Sequence, residues 1–327
     1  MERDKSLDGL KYFLITLVVI GHFIEPSRYN NLISCHLYSL IYSFHMPLFV
    51  WMNGYFYKHR SLSEEIKKCL PILEVCIISH IAFALLKNGS LSLSNMLYFS
   101  STPSWYLLSL IYWRIASSIL KGIIDVKRIL FFSILLEIVT FVLVPKYGGF
   151  LSFERTFQFY PFFIIGYLMK NRLFLLKKYK KPISIIGIMS IIYVLITSSY
   201  LQHQCLFQRA GLLELKGSTE HSLIWLFAYR YSLLICTISI CALVLLLSYN
   251  SSIIKKISMY GQGTLFIYFG QTLFYPLALR LCSTLTLSLI ASALAIMLLT
   301  YLSRKPISKW IMNPFTSYFS HKRMIDA

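Results

Sequence analysis

The stretch YSFHMPLFVWMNGYF, residues 42–56, decides the fold. It is apolar enough for a core helix or a membrane span, yet it carries His45, Pro47 and Asn53. The same texture runs outward on both sides, with long apolar runs divided by short charged clusters. Of the 327 residues, 57% are hydrophobic and 14% charged, and the mean hydropathy is +0.63. A soluble domain carries about a quarter charged residues. The composition therefore points to an integral membrane protein.

A membrane-spanning helix needs roughly 20 predominantly apolar residues. Ten candidate segments lie at about 8–27, 32–57, 69–87, 105–120, 129–145, 157–170, 183–201, 222–248, 260–279 and 281–302, the sixth short and the second and eighth long, so tilts and kinks are expected. No soluble domain fits between them, so residues 1–327 read as one all-α transmembrane bundle. The net charge of +19 sits in the intervening loops. With a cytosolic N-terminus, the cytosolic segments hold 22 lysines and arginines and the outer segments 7. That bias and the even number of spans predict both termini in the cytosol of a multi-pass inner-membrane protein. It also accounts for the charge without nucleic acid. Seven scattered cysteines without a C-x-x-C form neither a disulfide framework nor a zinc site. The N-terminus mixes Glu2, Arg3, Asp4 and Lys5 and lacks a small-residue cleavage site, so the first span reads as uncleaved.

Ionisable groups inside a span are costly, by about 2.5–3.5 kcal/mol each on insertion scales, and face protein or water. In the first span, Asp8, Lys11, His22 and Glu25 fall within an arc of about 100° at 100° per residue. Lys11 and His22 lie three turns apart, roughly 16 Å along the axis. Glu25, three residues after His22, is spaced to orient its ring. In the second span, Tyr38, Tyr42, His45 and Asn53 share an arc of about 80°. Pro47 removes a backbone donor there, and a freed carbonyl is tolerated only beside protein or water. Two polar stripes on antiparallel neighbours thus predict a cavity between them.

These residues carry a resemblance. LDGLKYFLITLVVIGH (7–22) followed by FHMPLFVWMNGYFYK (44–58) resembles the acyltransferase 3 family in its sugar O-acetyltransferase branch. SWYLLSLIYW (104–113), FYPFFIIGYLMK (159–170) and GQGTLFIYFGQTLFY (261–275) follow in order, so the likeness covers nearly the whole chain. It implies a bundle of about ten spans that moves an acyl group, acetyl by default, from cytosolic acyl-CoA to a hydroxyl of a cell-envelope glycan or lipid-linked sugar. The family's basic residue, ten residues and histidine fall on Lys11 and His22, with lysine where many members have arginine. Lysine lacks the bidentate fork of arginine, so a phosphate or carboxylate clamp there is altered. The branch's second histidine falls on His45. Gln271 stands where relatives carry a histidine and cannot take a proton. Asn53 replaces a common serine.

Acyl transfer from a thioester to a hydroxyl needs a base, oxyanion donors and alignment of the reactants. Histidine titrates near neutrality and suits the base role. The expectation is His22 as base, oriented by Glu25, with His45 as a second acid/base or oxyanion donor beside Tyr42 and Asn53. A covalent acetyl-histidine is an alternative route. Lys11 and the basic loops would face the polar head of acetyl-CoA. Trp105, Tyr106, Glu154 and Arg155 lie near outer span ends, where they would line a glycan site. Arg230, deep in the eighth span, is expected to bind substrate or cofactor and needs a carboxylate or phosphate partner, with Glu74 and Glu137 as candidate carboxylates. No metal-ligand spacing and no G-x-S-x-G elbow are present. The rival class is a proton-coupled transporter or flippase of a glycan or small molecule, but no inverted-repeat symmetry is visible. A glycan polymerase would carry a large outer loop, and the longest here is about twenty residues.

Overall fold

The computed structural model describes residues 4–99, 102–143, 149–206 and 211–312. Lys146, Arg209, the end of the fifth expected span and most of the C-terminal basic segment lie outside these residues. Among the described residues there is no strand, only an isolated antiparallel bridge between Tyr98 and Phe150. Among the described residues, ten helices of 16 residues or more overlap the expected segments: α1 Lys5–Ile24, α2 Leu32–Phe56, α3 Leu62–Asn88, α4 Trp105–Lys121, α5 Val126–Leu143, α6 Phe153–Leu168, α7 Lys180–Ile196, α8 Leu223–Asn250, α9 Thr264–Leu281 and α10 Leu285–Ser303. Of these, α1, α2, α3, α8 and α10 are long and apolar enough to cross a membrane. The other five have only 16 to 18 residues, and α5 also carries Lys127, Arg128 and Glu137.

Helix ends follow capping chemistry rather than hydropathy. α3 starts seven residues before its apolar run, because Ser61 and Glu64 form a reciprocal capping box. Asp4 caps α1 through the backbone N–H groups of Ser6 and Leu7. α2 runs without a break through Pro47.

Two helices organise the bundle. α1 packs against α2, α8, α9 and α10, and α2 packs against α1, α6, α7 and α8. The tightest crossing joins α2 to α6 through two glycines. A Cβ on Gly54 would lie 1.8 Å from the Phe163 carbonyl oxygen, and one on Gly166 would lie 2.0 Å from that of Trp51. Such small-residue contacts let helix backbones approach where lipid supplies no hydrophobic drive. Large apolar side chains cover the outside, among them Ile185, Ile188 and Met189 on α7 and Leu294 and Met297 on α10. That inverted surface suits lipid tails. The polar stripes of α1 and α2 are turned inward instead.

Candidate active site

The inward stripes line two cavities arranged along the bundle axis. The larger, about 440 Å³, touches Lys11 early in α1, Asn53 and Phe56 at the end of α2, Arg114 late in α4 and Thr264 at the start of α9. Because successive helices alternate in direction, these positions lie at the same end as the N-terminus. The smaller, about 90 Å³, touches His22 and Glu25 at the end of α1, Tyr42 and His45 in α2, Trp105 at the start of α4, Arg155 at the start of α6 and Tyr275 late in α9. It therefore sits toward the opposite face. Tyr268 lines both.

His45 is 2% exposed, and its Nδ1 lies 2.7 Å from the Ile41 carbonyl oxygen. A carbonyl only accepts, so Nδ1 carries the proton of the neutral ring and Nε2 keeps the lone pair. Tyr42 meets this ring edge-on at 4.7 Å and stacks on Tyr38 at 3.9 Å. His22 meets Tyr275 edge-on at 4.3 Å, and its buried Nδ1 lacks a hydrogen-bond partner.

Glu25 does not orient His22 as the i, i+3 spacing suggested. Its carboxylate accepts from the Tyr275 hydroxyl at 2.6 Å and lies 3.7 Å from the Arg28 guanidinium. The cause is local: Glu25 caps α1 just before Pro26 opens a 3₁₀ turn, and that turn brings Arg28 to it. Glu25 thus ties α1 to α9 at the rim of the small cavity. Arg155 lies over the Trp105 ring at 4.8 Å, which joins α6 to α4 on the opposite rim.

In the larger cavity, Lys11 Nζ lies 3.5 Å from Asp8 and 3.8 Å above the Phe56 ring. Asn53 donates to the Phe49 carbonyl at 2.8 Å and to the Tyr106 hydroxyl. Arg114 is held by the fully buried Glu65 at 2.5 Å, with Arg60 also 3.5 Å from that carboxylate. Just past the ends of α6 and α2, Lys170 Nζ donates to the Tyr57 carbonyl, and Lys121, the last residue of α4, donates to the Tyr167 hydroxyl of α6. Burial, with Lys121 and Lys58 nearby, pulls the Lys170 ammonium down to about 8.

Arg230 belongs to neither cavity. It donates to the Cys205 carbonyl at 2.7 Å, to Gln158 at 3.1 Å and to Glu137 at 3.2 Å. Glu137 is thus its acidic partner. Gln271 is fully buried, lines neither cavity and donates to Thr272 at 3.3 Å. Glu154 is buried beside the smaller cavity's Arg155 but does not line that cavity. Sequence reasoning passed over Tyr268 and Tyr275. Their i, i+7 spacing puts them on one face of α9 and was the available signal. Among the described residues no group of three or more metal-ligating side chains forms.

The profile of an acyltransferase domain, acyltransferase 3, matches residues 4–302. The chain belongs to the acyltransferase 3 family. Residues 4–302 are thus an acyltransferase domain, and five of its helices are long and apolar enough to cross a membrane. It is similar to the nodulation protein NolL of Mesorhizobium japonicum, 45% identical over 56 residues, and to that of Sinorhizobium fredii, 43% identical over 56 residues. Each match covers 16% of this chain and 15% of the relative's length. No solved structure matches.

Proposed function

We propose that the protein moves an acetyl group from cytosolic acetyl-CoA to a hydroxyl of a cell-envelope glycan or lipid-linked sugar. In this reading all ten long helices cross the inner membrane, with both termini in the cytosol. The observation that carries it is the pair of cavities. The larger has basic walls at the end bearing the cytosolic lysines and accepts the pantetheine arm. The smaller holds both histidines. At 90 Å³ against 440 Å³ it is the narrower of the two and suits the reacting acyl group and hydroxyl. In this reading the acceptor ring approaches from the outer mouth, near Trp105, and extends one hydroxyl inward.

The hydroxyl oxygen attacks the thioester carbonyl. A C–O bond forms, the C–S bond breaks, and the hydroxyl proton passes through a histidine to the departing thiolate. The fixed tautomer of His45 favours it as base, because Nε2 holds the lone pair. His22 then serves as the second acid/base group, which exchanges the roles expected from the sequence. Arg155, aligned by Trp105, supplies charge for the oxyanion. Lys11 and Asn53 shape the donor path.

The test is mass spectrometry of acyl esters on purified envelope glycans, comparing wild type, His22→Ala and His45→Ala at matched membrane levels. Loss of one base or acid costs about 10²–10⁴ in rate, so both variants should lose the ester. Unchanged esters in both variants and in a deletion strain would refute the reading for that glycan.

A further inference from the structure

Tyr268 is the one side chain shared by the linings of both cavities. It is 5% exposed and lies in the second turn of α9. Its hydroxyl donates to the carbonyl of Pro103, which lines the smaller cavity. Its ring meets that of Tyr106 at 5.4 Å. Tyr106 lines only the larger cavity, and its neighbour Trp105 only the smaller. Thus α4 and α9 each place an aromatic residue at the junction. Asn53 fixes the Tyr106 hydroxyl from α2, and Pro103 fixes that of Tyr268 from the start of α4. Both phenols are anchored at ring and hydroxyl.

We infer that Tyr268 is a positioning residue that narrows the junction between the donor chamber and the reaction chamber to the width of the pantetheine arm, and so denies water to the thioester until the acceptor hydroxyl is in place. The inference rests on the acetyl-transfer reading above. A thioester brought to the histidines meets any nucleophile that a base can deprotonate. Water there attacks the same carbonyl: a C–O bond forms, the C–S bond breaks, and the proton goes to the thiolate, which yields acetate and CoA. An open junction would join a 90 Å³ chamber to a 440 Å³ one, and that volume has room for many waters at ~30 Å³ each. The ring, more than the hydroxyl, performs the separation.

The full-length protein in proteoliposomes, supplied with acetyl-CoA with and without acceptor glycan, provides the test. The readout is the ratio of acetate released to ester formed in wild type, Tyr268→Phe, Tyr268→Leu and Tyr268→Ala. The Leu and Ala variants should raise that ratio by at least about tenfold, equivalent to ~1.4 kcal/mol of lost discrimination. Tyr268→Phe, which keeps the ring, should stay near wild type. A uniform fall in turnover with an unchanged ratio would make Tyr268 plain scaffold and overturn the inference.

A second measurement is independent of turnover. Met46 lines the smaller cavity. A small charged thiosulfonate reagent applied from the cytosolic side should label Met46→Cys only when combined with Tyr268→Leu. Equal labelling with Tyr268 intact would overturn the partition. A wild type that forms no ester while labelling follows the partition would instead count against the acetyl-transfer reading alone.

Discussion

Removing Arg230 separates a scaffold role from a substrate role. The guanidinium is 2% exposed and joins α8 to Glu137 on α5, Gln158 on α6 and the Cys205 carbonyl. Glu137, 3% exposed, also accepts from Tyr231 at 2.9 Å. Arg230→Met removes three hydrogen bonds, and at about 0.6 kcal/mol each in membrane proteins they set a floor near ~2 kcal/mol. Stranding a buried carboxylate raises the cost to about 3–5 kcal/mol. Arg230→Met with Glu137→Leu removes both charges, and such replacements are often neutral within a few kcal/mol. The double variant should therefore recover most of the loss. Unfolding in mixed micelles of graded denaturing detergent reads both, with KM for acetyl-CoA measured in parallel. If Arg230→Met unfolds within ~0.5 kcal/mol of wild type, the range of ordinary surface changes, and raises KM, Arg230 contacts substrate and the argument fails. A double variant as unstable as the single one would also refute it.

Two further outcomes follow from the packing and from the basic end. Gly54→Ala drives a methyl to 1.8 Å from a backbone oxygen, which a side-chain rotation cannot relieve. It should cost at least the ~1–3 kcal/mol of ordinary overpacking, whereas Gly217→Ala, with open space around its Cβ, should unfold like wild type in the same micelles. Lys170, lowered to about 8 by burial beside Lys121 and Lys58, is charged below that pH and neutral above it. If the nucleotide head of acetyl-CoA rests at this basic end, outside the larger cavity, KM for acetyl-CoA should rise between about pH 7 and 9, given the usual unit-scale titration width. Acetyl-pantetheine, which lacks the nucleotide phosphates, should not show the rise, and Lys170→Gln should abolish it. A rise shared by both donors would assign the titration elsewhere.

The helices were legible because apolar run length is a property of consecutive residues. Their ends were less so, since the Ser61–Glu64 box extends α3 into a charged segment that hydropathy reads as loop. The histidine stripes were legible from helical period alone, and His22 and His45 do line one cavity. Glu137 was one of two acidic candidates for Arg230, and the structure selects it. The role of Glu25 was not legible. Its partner Tyr275 lies 250 residues away, and only the packing of α1 on α9 brings them together. The division of the interior into two chambers was hidden for the same reason. It depends on where α4, α6 and α9 aim their aromatic rings, and periodicity carries no information about neighbours.

The spacing of Lys11 and His22 gains a geometric meaning from that division. One helix delivers a cation to the larger cavity and a histidine to the smaller, roughly 16 Å apart at 1.5 Å per residue. The eleven-residue step is about three turns, so both side chains stay on the face that α2 and α9 enclose. A step longer or shorter by one residue would rotate His22 by about 100° toward lipid or core. The exchange of arginine for lysine at the inner end leaves this ruler intact, because it changes the head group and not the register. Asp8 and Phe56 already hold the Lys11 ammonium from two sides, which restricts a flexible side chain to the cavity wall. What lysine gives up in bidentate recognition is partly replaced by that confinement. On the proposed reading, the demand on position 11 is therefore a positive charge at a fixed depth, and the chemistry is left to His22 at the far end of the same helix and to His45 on α2.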